Sequence, residues 1–440
     1  MYKLVELEKE SYESFVKPHK TKSHFLQSYA WGEALGILNR RVPYYLGLLN
    51  ENETIVATAL LLEKKLPLGF SYFYSPRGFV LDYNDREVFN EMTREVVKFV
   101  KSKKGIFLKI DPDIIKSKYD YLDQEVTLDN NHEEIFKMIK DAHFKHLGFT
   151  KNFETSEPRY TFRIDLEQDM DTIINHFSKT TKQRIKKAEK LDTKVRIGTK
   201  DDLDTFCHLM NLTEDRKDFV SYPDSYYKTL YDVFNKDNKM TLFIGSVDLE
   251  KILDDLKLRE KSLQEELDQL PKENMSKSAK NKEKEFTRQL DKVKSDIEKY
   301  EKYYEDYGKE VTLNAHMIIE YGNKAWVIYA GNENILTETC SNYRVYLEHL
   351  KYCKERNLKI YDQFGTIGDL RKDNPRMGLH EFKKKFGGDY VEFLGEFDYV
   401  TNHFMYFVFT KLVPIYRKII RNKSRKELHN DIKRNRWKRI

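Results

Sequence analysis

LEKILDDLKLREKSLQEELDQLPKENMSKSAKNKEKEFTRQLDKVKSDIEKYEKYYEDY (249–307) carries two stripes with one spacing. In its first half Leu249, Leu253, Leu256, Glu260, Leu263, Leu267 and Leu270 follow one another by four and three residues alternately. Phe286, Leu290, Val293, Ile297, Tyr300, Tyr304 and Tyr307 repeat that rhythm in the second half. An alternating four–three spacing is the heptad seam of paired helices, broken here only at Glu260. Pro271 stops the first arm, and the polar run 272–285 reads as the tip. The stretch therefore predicts an antiparallel coiled-coil hairpin (248–308), each arm projecting about 30 Å at a helical rise of roughly 1.5 Å per residue. Taken alone, such a hairpin is equally a solvated structural or dimerising element.

Outward from the hairpin, the chain has 440 residues, of which 40% are hydrophobic. That is room for two or three domains and enough apolar material to fill a core. Cys207, Cys340 and Cys353 show no metal-ligand spacing. The expectation is a reducing, cytoplasmic setting with no disulfide framework, no metal and no cofactor. The first residues, MYKLVELEKESYESF, lack a signal-peptide core. No apolar run reaches membrane-span length. The formal charge of +6 is uneven: over 411–440 twelve Lys/Arg stand against Glu427 and Asp431, giving +10 and leaving −4 elsewhere. This basic tail (411–440) carries Ile415, Ile419, Leu428, Ile432 and Trp437 among its cations. It suits acidic lipid headgroups or an RNA backbone, or is a solvated terminal helix.

On either side of the hairpin one pattern occurs twice. Positions 44–49 and 55–62 read as strands paired around 50–52, followed by a strand at 70–74, a helix at 86–101 and a strand at 106–110. Further on, 240–245 is a strand and 313–320 pairs with 324–330. A helix at 341–356 and a strand at 359–361 follow. The reading is an α/β (α+β) chain of two lobes in tandem (1–150, then 151–247 with 309–410), the second interrupted by the hairpin. An insertion is tolerated there because its ends start close together. Mixed sheets in this order suit the GNAT-type acyltransferase fold. The Q/R-x-x-G-x-G/A loop by which such enzymes cradle acyl-CoA is missing, since TIGDL (366–370) and RMGL (376–379) are poor imitations of it.

LQSYAWGEA (26–34), PLGFSYFYSPRGFVLDY (67–83), FLKIDPD (107–113), PRYTFRIDL (158–166), FSKTTKQRIKKAEK (177–190), YDQFGT (361–366), GLHEFKKKFGG (378–388) and LGEFDYV (394–400) together resemble the Fem/MurM family of peptidoglycan bridge-forming aminoacyltransferases. The resemblance runs from about residue 25 to about residue 415 and includes the helical arm. It implies transfer of an amino acid of the Gly, Ala or Ser class from aminoacyl-tRNA to the stem-peptide amine of a cell-wall precursor, usually lipid II. It gives the basic tail a place of action at the inner leaflet of the cytoplasmic membrane, and is compatible with a homo- or hetero-dimer of bridge enzymes. The chemistry is aminolysis of an activated ester, which asks for orientation, oxyanion stabilisation and loss of a proton from an ammonium.

By resemblance, Phe382 and Lys383 are the acyl- and tRNA-end motif, with Lys383 near phosphate or the reacting carbonyl. The residues alone also allow a solvated lysine run at 383–385. Tyr226 and Tyr329 match cleft tyrosines, though either suits a core. Asp111 closes the strand FLKID as proton acceptor or amine anchor, or simply forms a turn before Pro112. Arg77 holds a carboxylate or phosphate, or pins its own turn. Lys182, Arg184 and Lys186, with Lys179 and Lys187, form a basic helix face, and Lys277 and Lys280, with Lys272, Lys282 and Lys284, a basic tip. Both are candidate tRNA contacts or solvated faces. Where relatives commonly place a diphosphate-binding Lys and an Arg, this chain has Leu35 and Tyr222, with Arg40, Arg41 and Arg216 as candidate substitutes. The competing readings are an inactive paralogue or scaffold that binds tRNA or partner enzymes, and an acyl-CoA-dependent N-acyltransferase.

Overall fold

The computed structural model describes residues 2–217, 222–271 and 276–415. These residues divide into two compact units, each with its own mixed sheet.

The first unit holds the chain up to Lys118, Val126–Arg159 and the described residues from Val391 onward. Its sheet runs in the order Lys3–Glu6, Val42–Leu49, Ile55–Lys65, Ser71–Ser75, Gly105–Ile110, Phe397–Val400, Phe144–His146. Ser71–Ser75 and Gly105–Ile110 are parallel, joined by helix Arg86–Ser102. Asp85 caps that helix by accepting from the Val88 N–H at 3.0 Å. Its inward stripe of Val88, Phe89, Met92, Val96 and Val100 packs with Leu61, Phe73 and Leu108. Each such fully buried side chain contributes about 1.5–3 kcal/mol. The expected assignment of 391–410 to the second lobe is corrected. Phe397–Val400 inserts between Gly105–Ile110 and Phe144–His146, so the segment belongs to the first unit.

The second unit comprises Tyr119–Glu125 and Tyr160–Tyr390. Within it the strands run Tyr160–Asp165, Ile360–Asp362, Lys324–Asn332, Glu310–Tyr321, Met240–Asp248, Lys194–Ile197. Helix Ser341–Glu355 links the parallel pair Lys324–Asn332 and Ile360–Asp362, burying Val345, Leu347, Leu350 and Cys353. The strand–hairpin–helix–strand order expected for each lobe is present in each unit.

The inserted segment folds as two mutually packed antiparallel helices, Leu249–Asp268 and Lys277–Tyr307, rising from strands that stay paired up to Asp248↔Glu310. Asp248 caps the first helix through the Lys251 N–H, and Ser276 caps the second through Ala279. Leu249, Ile252 and Leu253 close on Ile297, Tyr300 and Leu336 at the base, while Leu263 and Leu290 are buried further out. Two expectations change. The tip is shorter than 272–285, because Ser276 starts the second helix, which is 31 residues long. At about 1.5 Å per residue that helix extends about 46 Å. Tyr304 and Tyr307, expected in the seam, are exposed. Among the described residues no helix is long and apolar enough to cross a membrane.

Candidate active site

In the second unit the parallel strands Lys324–Asn332 and Ile360–Asp362 are paired at Lys324↔Ile360, Ala325↔Tyr361 and Trp326↔Asp362. Beyond that point they part. Lys324–Asn332 stays with Glu310–Tyr321 through a bulge that sets Val327 opposite Ile318 and Tyr329 opposite Met317. The other flank turns toward Tyr160–Asp165: the Gln363 N–H donates to Phe162 O at 2.9 Å and the Thr366 N–H to Tyr160 O at 2.9 Å, with Phe364 at φ +57°. The place where this pairing stops, the wedge, has Tyr329 three residues further along one strand and the backbone of 363–365 directly beyond the other.

Lys383, on helix Met377–Lys384, closes the second flank. Its Nζ donates to the carbonyls of Gln363, Phe364 and Gly365 at 2.8, 2.9 and 2.7 Å. The Gln363 side-chain amide donates back to Lys383 O at 3.1 Å. Burial pushes the Lys383 ammonium down to about 7, while Asp362 pulls it upward. Asp362 is itself fixed by the Thr161 hydroxyl, by Arg163 Nε at 2.8 Å and by the Phe364 N–H at 2.8 Å. A solvated Lys383 is therefore excluded. Its neighbour Lys384 takes the surface place and pairs with Asp123 at 2.6 Å. Phe382 points elsewhere on the helix, its ring 5.3 Å from Tyr343, 5.1 Å from Tyr346 and 5.3 Å from Phe386, so this ring packs against the core.

The tyrosines come together. Tyr226, on helix Asp224–Asn235, and Tyr329 meet hydroxyl to hydroxyl at 3.1 Å. Tyr222 stacks on Tyr226 at 4.0 Å, and Tyr227 meets the Tyr329 ring edge-on at 5.0 Å. Burial and the adjoining phenols push Tyr329 well above the ordinary tyrosine range. Tyr222, at the position expected for an Arg, is thus part of an aromatic cluster. Arg216 falls in the last turn of helix Leu203–Lys217, and its side chain lies outside the described residues.

Asp111 and Arg77 form a second centre, within the first unit. Asp111 accepts from the Arg77 N–H at 2.7 Å and the Tyr74 hydroxyl at 3.0 Å, and its Oδ2 faces the Arg77 guanidinium at 3.6 Å. Arg77 sits at φ +53°, donates from Nη2 to Pro158 O at 2.7 Å and lies over the Phe393 ring at 4.5 Å. Asp111 therefore pins the SPRG turn, while the buried Arg77 Nε and Asp111 Oδ2 have no hydrogen-bond partner. Burial raises the Asp111 carboxyl to about 6 against the lowering pull of Arg77. Glu157 is likewise driven up to about 8 by desolvation, and no motif reading singles it out.

The basic helix Lys179–Lys190 turns Thr181, Ile185 and Ala188 inward. Lys182 donates to Asn175 O at 2.9 Å, and Arg184 donates to the Tyr343 hydroxyl while lying over that ring, so these two serve the fold. Lys179, Lys186 and Lys187 are exposed, as are Lys277 and Lys280 on the second arm; Lys272 lies outside the described residues. Leu35 is a buried residue of helix Tyr29–Ile37, and Arg40 and Arg41 follow that helix. What sequence reasoning missed is the backbone. The carbonyls that hold Lys383 have no side-chain signature, although Asp362 and Gln363 stand in the YDQFGT motif.

The FemAB family model matches residues 7–413. A Staphylococcus epidermidis lipid II:glycine glycyltransferase is 28% identical over 414 residues, covering 92% of this chain and 94% of the relative. A Staphylococcus aureus protein of the same description is 27% identical over 423 residues, with the same coverage. The solved structure of FemX superposes with a TM-score of 0.72 at 25% identity, covering 92% of this chain and 98% of FemX.

Proposed function

The chain belongs to the FemAB family, and from that membership we propose that it is a tRNA-dependent aminoacyltransferase building the peptidoglycan interpeptide bridge on lipid II. Glycine is the first choice of donor residue, because the relatives at 28% and 27% identity are glycyltransferases. The observation that carries a catalytic reading is the buried Lys383, held by three carbonyls at the wedge with its ammonium near neutrality.

In this reading the aminoacyl ester enters the wedge. The stem-peptide amine attacks the ester carbonyl carbon, the carbon–oxygen bond to the tRNA ribose breaks, and the ribose hydroxyl leaves with a proton. Lys383, by releasing one of its carbonyl partners, directs an N–H at the developing oxyanion. Tyr226 and Tyr329 orient the acceptor, and Phe382 supports Lys383 from the core. Asp111, in the first unit, is a separate candidate for accepting the amine proton or anchoring the amine, supported by its carboxyl near 6. Arg77 holds Asp111 in place, and Arg216 is a candidate for the precursor diphosphate. Each unit is read as a GNAT-like lobe, supported by its strand order and, in the second, by the diverging parallel strands.

The helical hairpin is read as a short coiled-coil arm for tRNA, supported by the exposed Lys277 and Lys280. Lys182, Arg184 and Lys186 are weaker candidates, since two of them already bond within the fold. The basic tail, most of which lies outside the described residues, would hold the enzyme at the inner leaflet, and sedimentation would report any dimer. Purified protein should transfer radiolabelled glycine from glycyl-tRNA to lipid II, and ribonuclease should abolish the transfer. Binding of charged tRNA without turnover would favour a scaffold, and saturable transfer from acetyl-CoA would favour the acyl-CoA reading.

A further inference from the structure

The last described segment of the first unit has two unlike faces. It begins as helix His403–Phe407, passes through a π turn at Val408–Leu412 and continues helically to Ile415. On its inner face Tyr406 donates to Asp398 at 2.8 Å and packs on Phe107, while Phe409 lies 5.9 Å from Phe107 and 5.3 Å from Tyr72. On its outer face Phe404 is 74% exposed, Phe407 54%, Leu412 47% and Ile415 56%. Their spacing of three, five and three residues keeps them in register because a π turn takes i to i+5. Four large apolar side chains turned to solvent on one helix face mark a surface that something covers.

A basic cleft adjoins this segment. Tyr72, which holds Phe409, also lies under the Arg41 guanidinium at 4.8 Å. Arg41 belongs to a cleft of about 330 Å³ lined by Arg40, Arg41, Lys64 and Lys65 together with Gly36 and Pro43. Glu63, the acidic residue in that lining, is already bonded to Lys65 at 2.6 Å and to the Tyr44 hydroxyl at 3.0 Å. Arg41 Nη1 is buried with no hydrogen-bond partner. Directly after Ile415 the sequence carries eleven Lys/Arg in twenty-five positions, against Glu427 and Asp431.

We infer that this face docks on an anionic lipid bilayer: Phe404, Phe407, Leu412 and Ile415 enter the headgroup region while the Arg40–Arg41–Lys64–Lys65 cleft takes a lipid phosphate. Apolar anchors flanked by cations are what an interfacial helix needs, and a protein partner would not require the cationic run that follows in the sequence. The inference deepens the membrane reading of the tail and rests on it only for the charge that follows Ile415.

The test is co-sedimentation of the full chain with large vesicles of phosphatidylcholine and phosphatidylglycerol at 70:30, and with pure phosphatidylcholine. The parent should bind the anionic vesicles and be released from them as salt rises. F404S/F407S/L412S, all at exposed positions, should lower the partition at least tenfold with an unchanged circular dichroism spectrum. R40Q/K64Q should lower it about fivefold per charge. Equal partition of parent and triple variant, or loss of binding on deleting 416–440 with the triple variant unaffected, would overturn the role of the helix face. Equal binding to neutral vesicles would overturn the preference for an anionic bilayer, and R40Q/K64Q partitioning like the parent would overturn the phosphate-binding cleft. Either failure leaves transfer to a soluble acceptor untouched, so it is separable from failure of the catalytic reading.

Discussion

Replacing Lys383 by Met keeps the length of the side chain and removes its charge, and the structure fixes what should follow. The drop of the ammonium from 10.5 to about 7 corresponds to about 5 kcal/mol against the buried charged form. That drop is the net preference of the site, the three carbonyl bonds included. The variant sheds the cost of the buried charge and gives up the bonds, about 1 kcal/mol each. At pH 7 Lys383→Met should therefore change unfolding free energy by less than about 2 kcal/mol. The sign with pH is distinctive. The folded-state pKa lies below that of the unfolded chain, so between about 7 and 10.5 the unfolded chain binds the extra proton. The parent therefore gains stability on the variant as pH rises, by about 2.3 kcal/mol from pH 7 to pH 9. Urea titrations at both pH values, followed by circular dichroism, read this directly. A pH-independent gap between the two proteins would refute a strongly perturbed Lys383. A loss above about 4 kcal/mol at pH 7 would mean that the carbonyl bonds dominate and the lysine is chiefly a structural staple.

The Asp111 carboxyl works with the opposite sense. Asp111→Asn cannot ionise, and the folded Asp111 pKa is raised to about 6. The variant should therefore gain on the parent as pH rises from about 4 to 6, by about 2 kcal/mol. In activity assays the acid limb near pH 6 should vanish, and persistence of that limb would assign it to another group. Tyr226→Phe removes the 3.1 Å hydroxyl contact with Tyr329. It should cost about 1 kcal/mol of stability and raise KM for the acceptor severalfold with kcat within twofold. A fall in kcat at constant KM would contradict a positioning role. Excising residues 249–309 in favour of a two-residue turn should leave the strands paired at Asp248↔Glu310 folded while raising KM for charged tRNA at least tenfold. An unchanged KM would return the arm to a structural role.

Much of the architecture is legible because it is local. Each lobe announces itself through strand runs around short turns and a helix of 3.6-residue period, and the hairpin through its heptads. What stays hidden is non-local or compositional. Phe397–Val400 stands in the sequence only as part of the motif LGEFDYV, and nothing near it says that it is a strand whose partner is Gly105–Ile110, in the first third of the chain. The tip reads as too long because Lys and Glu look like loop residues, yet they are good helix formers once Ser276 supplies a cap. At the site, Lys383 stands apart from the lysines beside it only through a family resemblance. Its burial, and the three carbonyls that hold it, are backbone facts that no residue pattern states. The same holds for Arg77, whose left-handed turn is pinned by Asp111 from a neighbouring strand's end.

If the wedge holding Lys383 is where an aminoacyl group passes from tRNA to a peptidoglycan amine, one comparison decides it. That comparison is the single-turnover rate of glycine transfer from glycyl-tRNA to lipid II by the parent and by Lys383→Met, with both shown folded. The parent should give measurable, ribonuclease-sensitive transfer, and the variant a rate at least about 100-fold lower, the scale of losing one oxyanion donor. Rates within threefold of each other would contradict a role for Lys383 in the transfer.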